Sequence, residues 1–309
     1  MAMRVSVIIP TFNRAALLPR ALKSVLEQAF QDIELIVVDD GSTDDTSRVV
    51  SSFADRAGFT VRYHWQENQG RASALNVGMS LTNGDLIHFL DSDDALLAGA
   101  LEALVATLEN ESADFVYSPS IEVLESGKEW INYPVAAGRP GNFAVEHFLN
   151  SNARPGAILY TSQLLRAIGG YEESLLYNED SEFLQRVALA GKPAYCSEPT
   201  VRVFHHSGSK SRNRIEIYKA LLHSSEDILT RYPDFAESLG SSATKRLNQI
   251  RCQLVEALIA GGELAEAKLV IRAARIEIPV TTQLALLFHT NFPIRVRKLV
   301  NRLRARAAF

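Results

Sequence analysis

A Rossmann-like α/β fold, with a mostly parallel central sheet flanked by helices, is predicted by three features of the sequence. Short apolar runs alternate four times with stretches of helical periodicity, the connections are brief, and acidic residues crowd the points where runs stop. Residues 5–10 form the first run, β-branched and closed by Pro10, and Leu18, Leu22, Val25 and Leu26 follow at helical spacing. Residues 33–38 form the second and end in Asp39-Asp40-Gly41-Ser42, where Ser42 and Asp45 have the spacing of a capping box. Residues 59–65 and 71–81 supply the third strand and helix, and residues 86–90 the fourth strand. Apolar runs of this kind suit strands buried on both faces, joined by right-handed crossovers. No G-x-G-x-x-G follows the first strand, so the usual dinucleotide-binding domain is not expected.

Further along, a helix is predicted over 96–108 and two strands within 115–133, around the turn Glu125-Ser126-Gly127. A short helix over 143–149, a strand over 157–160 and a helix over 164–168 follow, the last ended by Gly169 and Gly170. A helix over 179–190 completes a mixed α/β unit spanning 1–211. Residues 212–309 read as a helical region, with helices over 218–229, 245–260, 264–275 and 281–288. Gly261 and Gly262 break the second of these from the third, which predicts an antiparallel hairpin. One hairpin cannot bury its own apolar face, so it is expected to pack on the first unit or on a partner. Residues 294–306 carry six basic and no acidic side chains, interleaved with Ile294, Val296, Leu299, Val300 and Leu303. That pattern admits peripheral contact with an anionic membrane surface, or a solvated helix whose apolar stripe packs internally or in a homodimer.

Composition is that of a soluble globular protein: 47% hydrophobic, 22% charged, with a net charge of −4 that gives no overall pull toward nucleic acid. Cys196 and Cys252 lack metal-ligand spacing and read as free thiols of a reducing compartment. Residues 1–4 lead straight into the first strand without a secretion-signal pattern, and no run approaches a membrane span, which predicts a cytoplasmic protein.

The chemistry concentrates in Gly84 to Asp94, GDLIHFLDSDD. Asp91, Asp93 and Asp94 repel one another at a strand end unless something positive sits among them, and a divalent cation is the simplest answer. Magnesium is usually held by one or two carboxylates plus substrate phosphates, so such a pair is a site awaiting a diphosphate. Phe12, after the first strand, could stack on a base, and Asp39 and Asp40, after the second, could accept hydrogen bonds from a base or ribose. Arg71, after the third, could neutralise phosphate. Each group alone reads equally as core, turn or surface; four such groups after four successive strands point to one rim of the sheet.

The sequence resembles the family 2 glycosyltransferases, which have the GT-A fold. The resemblance rests on VSVIIPTFNRAALLPRALKSVLEQ, IELIVVDDGSTDDT, ENQGRASALNVGMSLTNGDLIHFLDSDD and IGGYEESLLYNEDSEFLQRVALAGK, and covers residues 5 to about 211. It implies an inverting, metal-dependent (Mn or Mg) transfer of a sugar from a nucleoside diphosphate sugar, a UDP-sugar by family preference. The acceptor would be a carbohydrate, lipid-linked or protein-linked hydroxyl in cell-surface polysaccharide, glycolipid or glycoprotein glycan synthesis. Carried onto this chain, Pro10, Thr11, Phe12, Arg14, Asp39, Asp40, Arg71, Asp91 and Ser92 would hold the donor nucleotide. Asp93, in the DxD motif Asp91-Ser92-Asp93, and His206 would hold the metal, with His205 leaving the register of the second contact open. Asp94, Gly170 and Tyr171 would face the donor sugar or acceptor, with Asn76 as a structural neighbour. Asp180 would be the general base with Glu179 beside it, and a helix N-terminus there would favour the ionised form. Tyr171, Tyr177 and Trp130 are candidates for stacking on sugar rings. The chain departs from the family at Phe204, where an arginine is common. The rival reading is a catalytically silent nucleotide-sugar-binding or scaffolding protein acting through its C-terminal helices, against which intact Asp93 and Asp180 argue. A nucleotidyltransferase would show a glycine-rich loop after the first strand, which TFNRAALL does not supply.

Overall fold

The computed structural model describes residues 3–134, 136–206 and 213–274. The helix expected at 281–288, the basic stretch at 294–306 and the segment 207–211 lie outside them. The chain divides into two compact units, Met1–Ser209 and Lys210–Phe309. Among the described residues no helix is long and apolar enough to cross a membrane.

The first unit alternates strand and helix: β1 (Val5–Thr11), α1 (Leu18–Leu26), β2 (Ile33–Asp39), α2 (Thr46–Ala54), β3 (Thr60–Trp65), α3 (Arg71–Ser80), β4 (Leu86–Phe89). It continues through β5 (Ala95–Leu96), α4 (Ala100–Glu111), β6 (Phe115–Tyr117), β7 (Ser120–Leu124), β8 (Glu129–Asn132) and α5 (Phe143–Asn150). It ends with β9 (Ile158–Thr161), α6 (Ser162–Ile168), α7 (Glu179–Ala190), β10 (Pro193–Tyr195) and β11 (Val201–His205). Seven strands form the main sheet in the order β10-β6-β9-β4-β1-β2-β3, parallel except for β9, which runs antiparallel between β4 and β6. Every residue of β1 and β2 is buried, because the sheet is covered on both faces. Val5, Val7 and Ile9 face a cluster with Leu18, Leu22 and Leu104, while Ile8 joins Leu75, Phe89 and Phe183 on the other side, as the two-residue period requires. Helix α3 lies close on the sheet because Gly78 has no Cβ; one built there would stand 2.5 Å from Ile8 Cγ2.

Several expectations are corrected. The helix predicted over 96–108 starts at Ala100, after Gly99 in the left-handed region (φ 74°), and Ala95–Leu96 instead pairs with β11. The stretch 115–133 holds three strands, since Ser118-Pro119 interrupts the run and Pro119 has no N–H for a ladder. β6 stays in the main sheet, whereas β7 leaves it for a second sheet of order β5-β11-β7-β8. The capping box fails: α2 starts at Thr46 without a side-chain cap, because the Ser42 hydroxyl accepts instead from the Asn13 N–H (2.7 Å).

The second unit contains α8 (Arg214–Arg231), α9 (Pro233–Leu239), α10 (Ser241–Gly261) and α11 (Leu264–Ala274). Gly262, left-handed at φ 85°, ends α10 where the break was expected. The apolar face of α10 and α11 is covered within the unit: Leu254, Val255, Leu258 and Ala267 are buried against Ile215, Tyr218 and Leu222 of α8.

Candidate active site

Parallel register sets Thr11 opposite Asp39, so the turns after β1 and β2 lie side by side at one edge of the sheet. Pro10 and Thr11 close β1, and Phe12 stands out at 45% exposure. Asn13, at φ 51°, ties the two turns: its side-chain oxygen accepts from the Thr43 N–H (2.8 Å). Both carboxylates after β2 are buried and bonded within the protein. Asp39 accepts from the Ser42 N–H (2.8 Å) and the Tyr63 hydroxyl (2.6 Å). Asp40 accepts from Gln66 Nε2 (2.8 Å) and from the N–H groups of Gln69 (2.9 Å) and Gly70 (2.9 Å). Asp40 therefore shapes the turn that delivers α3. The buried Thr11 Oγ1 and Gln66 Oε1, by contrast, have no partner among the described residues.

Arg71, the first residue of α3, joins two motifs that lie far apart in sequence. Its guanidinium donates to Asp91 (2.8 Å), Asp180 (2.6 Å) and Glu179 (3.4 Å). Burial works to lower its pKa, but Asp180, Asp91 and Glu179 outweigh burial and hold it well above the ordinary value. The Asp180 carboxyl is pushed up to about 6, first by burial, with Glu179 and Asp91 adding to the rise and Arg71 opposing it. Its side chain keeps 35% of its surface open, yet protein atoms crowd it on the remaining sides. Asp180 lies in the first turn of α7, as expected, but burial and two neighbouring acids set the direction of its shift.

Around the DSDD turn, His206 Nε2 lies 2.8 Å from Asp93 Oδ2, and Arg14 reaches both, 3.4 Å from His206 and 3.7 Å from Asp93. His205 points the other way, with Nε2 2.5 Å from Glu122 Oε2. Strand alternation thus separates the two histidines, and His206 is the one beside Asp93. Arg20 of α1 donates to the Asp93 carbonyl and lies 3.5 Å over the Phe204 ring. A guanidinium thus occupies the neighbourhood of Phe204, delivered by another element. Ser92 and Asp94 are buried in the turn. The Phe204 N–H donates to Asp94 (3.1 Å), whose carboxyl burial, and then Asp91 and Asp93, push well up. An oxygen and a nitrogen donor meeting at Asp93 and His206 suit a divalent cation. No cluster of three or more such side chains occurs among the described residues.

Asp180 also lines a cleft with Ala153, Pro155, Tyr160, Tyr171 and Ser181. Asn76 braces its wall, accepting from the Tyr171 N–H (2.7 Å) and donating to the Tyr171 carbonyl (3.0 Å). A Cβ on Gly170 would collide with the Asn76 side chain, so a larger residue here would displace that brace. Tyr171 itself is corrected as a sugar platform: its ring is buried and stacked on Phe183, centroids 3.9 Å apart. Sequence reasoning missed Arg20, Tyr63 and Gln66; a charged residue inside the apolar stripe of α1 was the available signal for the first.

Laid against solved structures, the chain has a GT-A-type fold. It matches Staphylococcus aureus TarS 1-349 in complex with UDP-GlcNAc at TM-score 0.60 and 21% identity, covering 86% of this chain and 81% of that one. It matches the mannosyltransferase PcManGT from Pyrobaculum calidifontis, in complex with GDP-Man and Mn2+, at 0.58 and 20%, covering 94% and 84%. The chain belongs to glycosyl transferase family 2, whose family model matches residues 6–167, more than half of its 309 residues. It is 43% identical over 104 residues to the GalNAc(5)-diNAcBac-PP-undecaprenol beta-1,3-glucosyltransferase of Campylobacter jejuni, covering 33% of each chain. It is 36% identical over 169 residues to a PGL/p-HBAD biosynthesis glycosyltransferase of Mycobacterium bovis, 54% of this chain and 62% of the relative. Matches to these curated relatives span from a third to about three fifths of their length.

Proposed function

We propose that the first unit is a metal-dependent inverting glycosyltransferase that moves a sugar from a nucleoside diphosphate sugar, a UDP-sugar foremost, to a hydroxyl of a lipid-linked glycan. The observation that carries this reading is Arg71 bonded at once to Asp91 of the DxD motif and to Asp180, so the two acidic motifs meet on one side chain. UDP-GlcNAc and GDP-Man in the complexes of structural neighbours support the donor class, and the undecaprenol-linked substrate in one relative's name supports the acceptor class. Such an acceptor is met at the cytoplasmic face of a membrane, where we place the protein; the basic sequence of residues 294–306 would serve that attachment.

Inversion requires the acceptor oxygen to attack the anomeric carbon opposite the departing diphosphate, forming one C–O bond as the other breaks. Asp180 takes the acceptor proton. A carboxyl near 6 is mostly ionised at neutral pH yet more basic than an ordinary aspartate, which favours proton transfer. Arg71 and Arg14, both held by side-chain partners at the DSDD turn, can exchange those partners for phosphate oxygens. Phe12 offers a ring to the base, and Thr11 Oγ1 and Gln66 Oε1 are polar atoms without a partner among the described residues. A divalent cation held by Asp93 and His206 would offset charge growing on the leaving diphosphate.

The test is thermal unfolding with UDP, GDP, TDP and CMP, each with and without Mn²⁺, followed by transfer from the matching sugar nucleotides. A nucleotide at 100 times its Kd stabilises by about 2.7 kcal/mol, so binding is readily seen. A metal-dependent shift for one base is expected; no shift with any nucleotide overturns the reading.

A further inference from the structure

Away from the donor edge, the second sheet presents a built aromatic surface that the reaction above does not use. Trp130 pairs with Glu122 across β7 and β8, and Glu122 with Val203 of β11, so these side chains share a face with His205, two residues on. Trp130 is 41% exposed, yet its ring is stacked on His205, centroids 5.8 Å apart and planes within 11°. The stack has a firm base. Glu122 is fully buried and takes Arg154 through two bonds (2.8 and 3.0 Å) as well as His205 (2.5 Å). Beside it, Asn132 donates to the Asn152 carbonyl (3.1 Å), and Asn152 donates to the Tyr133 carbonyl (2.8 Å).

Arg154 ties this surface in sequence to the cleft that holds Asp180. Ala153 and Pro155, the neighbours of Arg154, line the cleft with Asp180. The Arg154 charge also reaches Asp94, whose ionised form it favours. A flat exposed ring flanked by amides and a guanidinium matches a pyranose, which has an apolar C–H face and a rim of hydroxyls.

We propose that Trp130, seated on His205, is an outer sugar subsite that holds a hexopyranose residue of the glycan acceptor beyond the one receiving the new sugar. This rests on the transferase reading and adds its substrate class: an acceptor of at least two sugar units. The rigid Glu122–Arg154–His205 support fixes the ring before the acceptor arrives, so little ordering entropy is lost on binding.

The chain has two tryptophans, so Trp65→Phe leaves Trp130 as the sole indole reporter. In that background, soluble gluco-, galacto-, manno- and chito-oligosaccharides of two to four units are titrated against intrinsic emission. One series is expected to give a saturable blue shift, with oligosaccharides binding about ten-fold more tightly than the monosaccharide. In transfer assays Trp130→Ala is expected to raise the acceptor KM about ten-fold with kcat held, and Trp130→Tyr to restore part of the loss. An unresponsive Trp130 emission with every series, an unchanged acceptor KM in Trp130→Ala, or an equal response to a polyprenyl phosphate lacking sugar overturns the subsite. The nucleotide-induced thermal shift separates the two readings. If it persists while Trp130 is silent, only the subsite fails; if it is absent while Trp130 responds, Trp130 binds a glycan but the transferase reading fails, and the acceptor role with it.

Discussion

Two acidic pairs follow parallel strands of the same sheet, and they are held by opposite kinds of partner. Asp39 and Asp40 accept from the Ser42 N–H of their own turn, the Tyr63 hydroxyl of β3 and the Gln69 and Gly70 N–H groups of the turn before α3, bonds that are fixed once the chain folds. Asp91 and Asp93 instead meet Arg71, Arg14 and His206, side chains that can turn to another anion. A carboxylate bonded to backbone donors is architecture, while one matched by mobile cations remains available to a ligand. Identical residue types in similar positions thus divide into support and chemistry by partner alone.

The largest effect expected from this division falls at the far end of the Arg71 cluster. Asp180→Asn keeps the shape and an acceptor for Arg71 but removes the base, so transfer should fall by about 10²–10⁴-fold while nucleotide binding persists. Steady-state turnover beside a nucleotide thermal shift checks both halves. Undiminished turnover would mean that another group takes the proton.

The comparison itself is broken or kept by Asp40→Ala set against Asp93→Ala. Losing Asp40 strands three donors, two of them backbone N–H groups, and hydrogen bonds to a charged group are worth about 1.5–3 kcal/mol. A cost of about 3 kcal/mol lowers Tm by about 6–12 °C in a unit of this size. Asp93→Ala removes one of several crowded acids, so its Tm should move by only about 2 °C. It should instead abolish the metal-dependent part of the nucleotide shift. Were Asp40→Ala as stable as wild type and merely unable to bind nucleotide, the assignment of Asp40 to architecture would fall.

The pH profile sharpens the same contrast. Asp180, raised to about 6, must be ionised to act, so kcat should climb with pH through about 6 and level off above 7. A carboxyl whose folded value lies above its unfolded one binds its proton more tightly when folded. Its charge therefore disfavours the fold above about pH 6, and that cost fades as pH falls toward the ordinary aspartate value. Arg71 opposes the rise, so Arg71→Gln should carry the acidic limb to higher pH, whereas Arg71→Lys, keeping the charge, should leave it nearer the wild-type position. A limb that ignores both substitutions would separate Asp180 from the kinetics.

Much of this arrangement was legible in the sequence because it is local. Apolar runs, their acidic ends and the glycine stops each state their meaning within a few residues, and the order of strands and helices in the first half followed. What was not legible depends on partners distant in the chain. Strand β9 enters the sheet antiparallel through pairings to β4 and β6 that no local pattern encodes. Ser42 has the spacing of a cap but is bonded by Asn13, from a different turn. Tyr171 looks like a loop aromatic until Phe183 arrives beneath it. His206 fits the family pattern but adjacent His205 left the register open; the structure sends His205, the last residue of β11, to Glu122 and His206, just past it, to Asp93. Arg20 is the hardest case, since its two partners, the Asp93 carbonyl and the Phe204 ring, come from separate elements.

The smallest effect expected tests whether the architectural pair is uniform. Asp39 takes one bond from the Ser42 backbone and another from the Tyr63 hydroxyl, on the half-exposed edge strand β3. Tyr63→Phe removes only the second, leaving the ring, and the carboxylate stays held by the Ser42 N–H. The stability cost should therefore be about 1 kcal/mol, a Tm loss of about 2–4 °C. If Asp39 is wholly architectural, nucleotide affinity stays unchanged in this variant. If the Tyr63 hydroxyl occupies an oxygen that a base or ribose group would otherwise use, affinity rises, and Asp39 belongs with Asp91 and Asp93 among carboxylates held in readiness. Nucleotide titration of Tyr63→Phe, read by thermal shift, decides between the two.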